Sequence, residues 1–369
     1  MKSMRLLAVI PGVALILIIL WDAFETIILP RRVTRRFRLT SVFYRTIWTI
    51  CSGLVRAMHN RKRREEYLAT FGPISLLMLL TLWAVCLIIG YAILYWSINA
   101  QLNVPASETN FGTYLYLSGT TFFTLGFGDV TPLLPLGRAI VIVEAATGFG
   151  LLGIVIGYLP VLYQAFSRRE VNISLLDARA GSPSSAAEML RRHGESGNMD
   201  DLNLVLHEWE HWAAELLESH LSYPVLCYFR SQHDNQSWLG ALTTVLDTCA
   251  LVLVGVDGAP TWQAKLTFAM ARHAVVDLAQ IFRAAPSGPQ ACITRLFPGD
   301  LERIREILER NSAHLEGGEE AEKKLAELRL MYEPYVSALS ELLLMPLPPW
   351  ILREDAIDNW KTSAWGRIQ

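Results

Sequence analysis

The sequence predicts an all-α membrane protein: three transmembrane helices and a re-entrant helix with its loop, followed by a mainly α-helical cytoplasmic domain. Three observations predict it. Of 369 residues, 52% are hydrophobic and only 18% charged, where soluble chains carry about 25% charge. Three stretches, 6–29, 73–96 and 136–166, are apolar over the ~20 residues a bilayer requires. Beyond residue 166 apolar positions recur at helical spacing, with no alternating strand pattern of any length.

The first stretch closes a segment covering residues 1–29. Lys2 and Arg5 precede its apolar core, as in a signal peptide, but Trp21-Asp22-Ala23-Phe24-Glu25 offers no small-residue cleavage site, which favours a retained span. Charge then sets the topology. Residues 30–72 hold eleven basic residues, whereas residues 97–135 contain no Lys or Arg. The positive-inside bias places 30–72 in the cytoplasm, 97–135 outside, the N-terminus outside and everything after Arg168 inside. The expected location is the cell (inner) membrane, crossed several times.

Within 30–72, Arg32, Arg35 and Arg38 have the three-residue spacing of a voltage-sensing helix. Arg31 and Arg36 break that stripe and no apolar span encloses it, so the segment reads as a cytoplasmic anchor. Phe43, Ile47, Ile50, Leu54 and Met58 follow at helical spacing among basic residues, predicting an amphipathic helix on the inner leaflet, in contact with anionic lipids. Asp22 and Glu25 share a face near the inner end of the first span. A carboxylate there needs a partner, and the neighbouring arginines are the expected one.

The chemistry lies between the second and third spans, within a domain covering 73–166. Residues 111–123 form a helix of roughly 20 Å, too short for the ~30 Å core, so the chain must enter and return on one side. A non-helical return at membrane depth survives only when buried in protein or lining an aqueous path. The Thr/Gly segment 124–129 therefore implies a pore. A dehydrated cation must be wrapped by oxygens, and successive carbonyls face one axis only if backbone handedness alternates. Gly126 and Gly128 supply the required φ > 0 states at every second position. Thr124 adds a hydroxyl, Leu125 and Phe127 point away from the axis against surrounding helices, and Asp129 places negative charge at the outer mouth. The C-terminal end of the short helix turns its negative dipole end toward the cation.

Thr121-x-x-Thr124-Leu125-Gly126-Phe127-Gly128-Asp129 resembles the potassium-channel signature T-x-x-T-[VIL]-G-[YF]-G-D. The resemblance extends over residues 73–166. Gly137-Arg138 begin the inner helix, Gly148 stands where such channels place a gating hinge, and Glu144 stands where inward-rectifier-type channels carry Glu or Gln. It implies a homotetramer, since one strand supplies a quarter of the ring, and K+ as the permeant ion. Two departures matter. Phe127 replaces the commoner Tyr and lacks the hydroxyl that can tether the filter to its surroundings. Thr120 stands where several relatives carry a Glu bonded to the mouth aspartate, so Asp129 is expected to be held differently, through Tyr116.

Two other motifs compete. Gly148-Phe149-Gly150-Leu151-Leu152-Gly153 matches the G-x-G-x-x-G dinucleotide fingerprint but lies inside an apolar helix without the βαβ context, so no dinucleotide is expected. Gly153 and Gly157 instead form a small-residue helix contact. His207-Glu208-Trp209-Glu210-His211 matches H-E-x-x-H, the helix pattern of zinc hydrolases, although Glu210 violates the uncharged interior of that motif. Leu204, Trp209, Trp212, Leu216 and Leu217 mark the inward face of an ordinary amphipathic helix, which leaves His207 and His211 as a surface pair and a weak metal site, with His220 and His233 as further ligands.

The remaining segment, 167–369, is long enough for one sizeable helical domain. Helices are predicted at 184–193, 200–220, 238–254, 261–282, 300–315 and 319–344, and an irregular docking tail follows from Met345. The apolar helix 238–254 is read as buried core because of Asp247 and its threonines. Five widely spaced cysteines suit a reducing compartment rather than a disulfide framework. Neither the strand pattern of a nucleotide-binding regulatory domain nor that of a cyclic-nucleotide module is present, so the domain reads as a tetramer-stabilising or ligand-sensing element. No enzymatic activity, cofactor or nucleic-acid partner is expected. The rivals are a non-selective cation channel on the same fold, a membrane-tethered zinc hydrolase, and an uptake subunit, the last disfavoured because its pore segment would occur four times.

Overall fold

A computed structural model describes residues 7–29, 38–105, 107–195, 199–233, 235–284 and 295–352. Lys2, Arg5, Arg31, Arg32, Arg35, Arg36 and one of the five cysteines, Cys292, lie outside the described residues. The chain divides into two compact units, Met1–Tyr163 and Gln164–Gln369. Both are helical, and no β-strand occurs among the described residues.

In the first unit, α1 (Val9–Ala23) ends in a π-helical turn (Phe24–Ile28). Then come α2 (Leu39–Arg56), α3 (Arg61–Ser97), the short α4 (Phe111–Phe122) and α5 (Pro135–Ala180). Helix α3 starts well before the span expected at 73–96. Asn60 caps it, its side chain accepting from the Lys62 and Arg63 amides at 3.0 and 3.2 Å, so the basic run is helical rather than linker. Pro73 removes one backbone donor inside 37 residues of helix and does not end it. Likewise α5 continues past residue 166 to Ala180.

Helices α1 and α3 approach closely because two glycines face one another. A Cβ on Gly90 would stand 2.8 Å from Ile16 Cγ1, and one on Gly12 would stand 3.2 Å from the Gly90 carbonyl oxygen. Small residues permit this approach where lipid tails provide no hydrophobic drive between helices. Trp83, Leu87, Tyr91 and Tyr95 of α3 pack with Ile16, Ile19, Tyr114, Leu117 and Phe122 in one core. Asp22 is buried, and its partners among the described residues are Thr40 and Trp83. It accepts from the Thr40 amide (3.2 Å), the Thr40 hydroxyl (2.6 Å) and Trp83 Nε1 (3.0 Å). Three neutral donors satisfy this carboxylate without burying a second charge. Glu25 accepts from Trp21 Nε1 at 2.7 Å and has Arg38 at 3.8 Å.

The second unit contains the last turns of α5, then α6 (Ala186–Glu195), α7 (Asp200–Ser222), a 3-10 turn (Pro224–Tyr228), α8 (Trp238–Gly255), α9 (Thr261–Ile281), α10 (Asp300–Glu309), α11 (Glu319–Leu330) and α12 (Glu333–Leu343). Among the described residues, four helices are long and apolar enough to cross a membrane. In three of them 17–39% of the apolar window is buried, whereas in α8 the figure is 89%, so α8 is wrapped by its own domain. Buried Asp247 in α8 is held by Arg295 (2.7 and 2.8 Å) and Tyr332 (2.5 Å).

Three expectations are corrected in this unit. Helix α10 stops at Glu309 because Ser312 adopts φ 61° and Leu315 turns away to bridge Val256. The segment 319–344 is two helices, since Pro334 lacks the amide that would continue α11 and instead occupies the first turn of α12. Leu204 is 60% exposed, and Leu202, Val205 and Leu206 fill the inward face in its place. The irregular segment from Met345 docks through the buried side chains of Met345 and Trp350.

Candidate functional site

Helix α4 is built to present its C-terminal end. Asn110 caps its start in a reciprocal capping box with Thr113, and the Tyr114 hydroxyl fixes it by donating to the Ala100 carbonyl at 3.0 Å. Its last turn gives way to a strand in which Thr124, Gly126 and Gly128 have φ of 56°, 54° and 81°. Left-handed backbone thus falls at every second residue. Glycine carries two of these positions at no steric cost, whereas Thr124 is a β-branched residue in a conformation that such residues rarely adopt.

The strand is tied to α4 through its backbone. The Thr121 carbonyl accepts from the Thr124 amide at 2.9 Å, and the Thr120 carbonyl accepts from the Leu125 and Gly126 amides at 2.8 and 3.3 Å. The Thr120 hydroxyl returns to its own helix, donating to the Tyr116 carbonyl at 3.0 Å. Thr120 therefore holds the strand by its main chain. At the far end, the Tyr116 hydroxyl donates to Asp129 at 2.7 Å. Within the single chain, Leu125 is 56% exposed and Phe127 68% exposed.

Behind α4 lies a polar brace. Glu144 of α5 is buried and meets Ser118 of α4 and Tyr95 of α3, the Tyr95 hydroxyl donating at 2.8 Å and Ser118 closer still. A second link joins Tyr91 to Thr147 at 2.9 Å. Glu144 was legible in the sequence; Tyr95, Ser118, Tyr91 and Thr147 were not singled out. Their signal was present, since an ionisable side chain within an apolar helix calls for hydroxyl partners on its neighbours.

Gly148 sits on α5 directly against the end of α4. A Cβ there would stand 2.1 Å from the Phe122 carbonyl oxygen, a separation that no side chain tolerates. Helix α5 runs through Gly148 without a break. The position therefore requires glycine for close approach as well as for any flexibility.

The rival motif has a different setting. His207 and His211 are surface residues of α7 with ring centroids 4.8 Å apart, and Glu208 pairs with Arg179 at 3.2 Å. Among the described residues, no group of three His, Cys, Asp or Glu side chains is placed to hold a metal ion.

Long apolar helices flanking a short helix and a segment of alternating backbone handedness define a helical membrane protein. Residues 78–164 match a family described as ion channels, which supports a channel function for this stretch. Curated relatives are distant. The chain is 22% identical over 196 residues to the uncharacterized membrane protein YdjJ of Bacillus subtilis (strain 168), covering 52% of this chain and 56% of that protein. It is 28% identical over 121 residues to protein LctB of Geobacillus stearothermophilus, covering 30% of this chain and 81% of that protein. The chain thus spans little more than half the length of YdjJ. No solved structure matches.

Proposed function

We propose that this chain is one subunit of a homotetrameric, potassium-selective channel that conducts K+ passively. The observation that carries the reading is the alternation of left-handed backbone at Thr124, Gly126 and Gly128 directly after the end of α4. In such a strand, successive carbonyls line one axis and replace the ion's water shell. One chain contributes one side of that ring, and the exposed Leu125 and Phe127 side chains are apolar surface that adjoining subunits would cover. Tyr116, Thr120, Thr121 and Glu144 brace the filter. Asp129 concentrates cations at its mouth, and Gly148 is the point about which α5 moves against α4.

In this reading α1, α3 and α5 span the cell membrane, with the N-terminus outside and the second unit cytoplasmic. Helix α2 lies on anionic lipid at the inner leaflet. The second reading is a non-selective cation channel, favoured by Phe127, which lacks the hydroxyl that commonly tethers such a filter. K+ flux into liposomes containing the full chain tests the proposal beside Gly126→Ala. Flux in the wild type and its loss in the variant support the pore; equal flux in both contradicts it.

A further inference from the structure

Helix α5 is one uninterrupted element, and its turns after Tyr163 belong to the second unit. Those turns carry an arginine in an unusual position. Arg169 is buried, and burying a guanidinium is costly unless its donors are satisfied. Its Nη1 donates to the Leu226 carbonyl at 2.9 Å, and its Nη2 to the Phe229 carbonyl at 2.9 Å. Nε donates to Glu170 at 3.0 Å, and Nη1 lies 3.3 Å from His220 Nε2. Glu170 also accepts from Ser231 at 3.3 Å.

The two carbonyls belong to the 3-10 turn Pro224–Tyr228 and its cap residue Phe229, while His220 belongs to the last turn of α7. One side chain of α5 thus gathers partners from two other elements. His220 Nδ1 lies 2.8 Å from the Leu216 carbonyl, so Nδ1 carries the proton and Nε2 is left to accept from Arg169. Burial first, then the Arg169 charge, hold His220 well below its ordinary value, consistent with a neutral ring. Ser219 (3.1 Å) and the Trp238 ring (5.2 Å between centroids) complete its surroundings.

Apolar contacts along a helix let it slide or turn by small steps, whereas these hydrogen bonds are directional and fix both rotation and height. We infer that Arg169, keyed by Glu170 and His220, is a positioning residue that transmits movement of the second unit to the pore-lining part of α5. The inference rests on the channel reading above and names the element through which the cytoplasmic domain controls that pore.

The test is single-channel recording of the full-length protein in planar bilayers, comparing the wild type with Arg169→Met, which keeps length and removes every donor. The expected result is a shift in open probability of about fivefold or more, the scale of an ordinary coupling between sites, with single-channel conductance and ion selectivity unchanged. Amide exchange is expected to rise in residues 164–180 and 216–231, with tetramer mass retained. If Arg169→Met does not fold, Glu170→Gln keeps the shape of the lock while weakening it, and a smaller shift of the same sign is expected. Wild-type openings with unaltered open probability in the folded variant overturn the inference and leave the channel reading intact. Absence of any wild-type current overturns both.

Discussion

The Tyr116 hydroxyl donates to the Asp129 carboxylate across 2.7 Å, joining the middle of the short helix to the far end of the strand that leaves it. The strand is thereby held at both ends, by the Thr120 carbonyl at its base and by Tyr116 at its mouth. Removing either partner of the mouth bond should loosen the same element. Tyr116→Phe and Asp129→Asn are each expected to shorten single-channel openings. The double variant should resemble either single one, with a coupling energy of about 1 kcal/mol in a double-mutant cycle. Additive effects in single-channel dwell times would show that the two side chains act separately.

Gly148 is predicted to be the least replaceable glycine of α5. Alanine there meets the Phe122 backbone oxygen at 2.1 Å, whereas a Cβ on Gly150 meets nothing within 4 Å. Gly148→Ala should therefore push α5 off α4 and abolish flux, while Gly150→Ala should keep flux within about threefold, since its exposed site leaves room for a methyl group. Liposome flux assays on the two variants compare them directly.

Asp22 ties α1 to both α2 and α3 through Thr40 and Trp83. Replacing it with alanine leaves buried donors unsatisfied, which costs about 1–3 kcal/mol. Asp22→Ala should lower the unfolding midpoint of the detergent-solubilised protein, and Trp83→Phe should lower it less because only one bond is lost. An unchanged midpoint for Asp22→Ala would mean that the clamp adds nothing to stability.

How much of this was legible in the sequence differs between the units. The short helix, the glycine alternation and the apolar spans follow from local rules, because the length of an apolar run and the spacing of glycines are properties of contiguous residues. The break before α12 was missed, the segment 319–344 being read as one helix, although Pro334 cannot continue a helix. Contacts between distant residues were not legible. Asp22 meets Trp83, sixty-one positions away, a contact that no local pattern marks. Leu204 satisfied the helical period but fell on the wrong edge of the stripe, and only packing between helices selects that edge. The Thr120 departure signalled that Asp129 needed another donor, whereas nothing local marked Arg169 as buried.

His220 gives the second unit a pH dependence whose sign follows from its neutral folded state. Its folded value lies well below the ordinary 6.5, so above that pH both states are neutral and stability is flat. As pH falls through 6.5, the unfolded chain takes up a proton that the folded one refuses, and stability declines. The slope should approach about 1.4 kcal/mol per pH unit for this one group. Thermal unfolding of the wild type and His220→Gln between about pH 7.5 and 5.5, the range around an unperturbed histidine, should show a steeper decline in the wild type. Parallel curves would contradict the assignment.

The proposed function stands or falls on selective conduction through the strand containing Gly126 and Gly128. Bi-ionic reversal potentials of the wild-type protein in planar bilayers, with K+ on one side and Na+ on the other, test it most directly. A reversal potential displaced strongly in the direction of preferred K+ permeation is expected; a reversal near zero would contradict potassium selectivity.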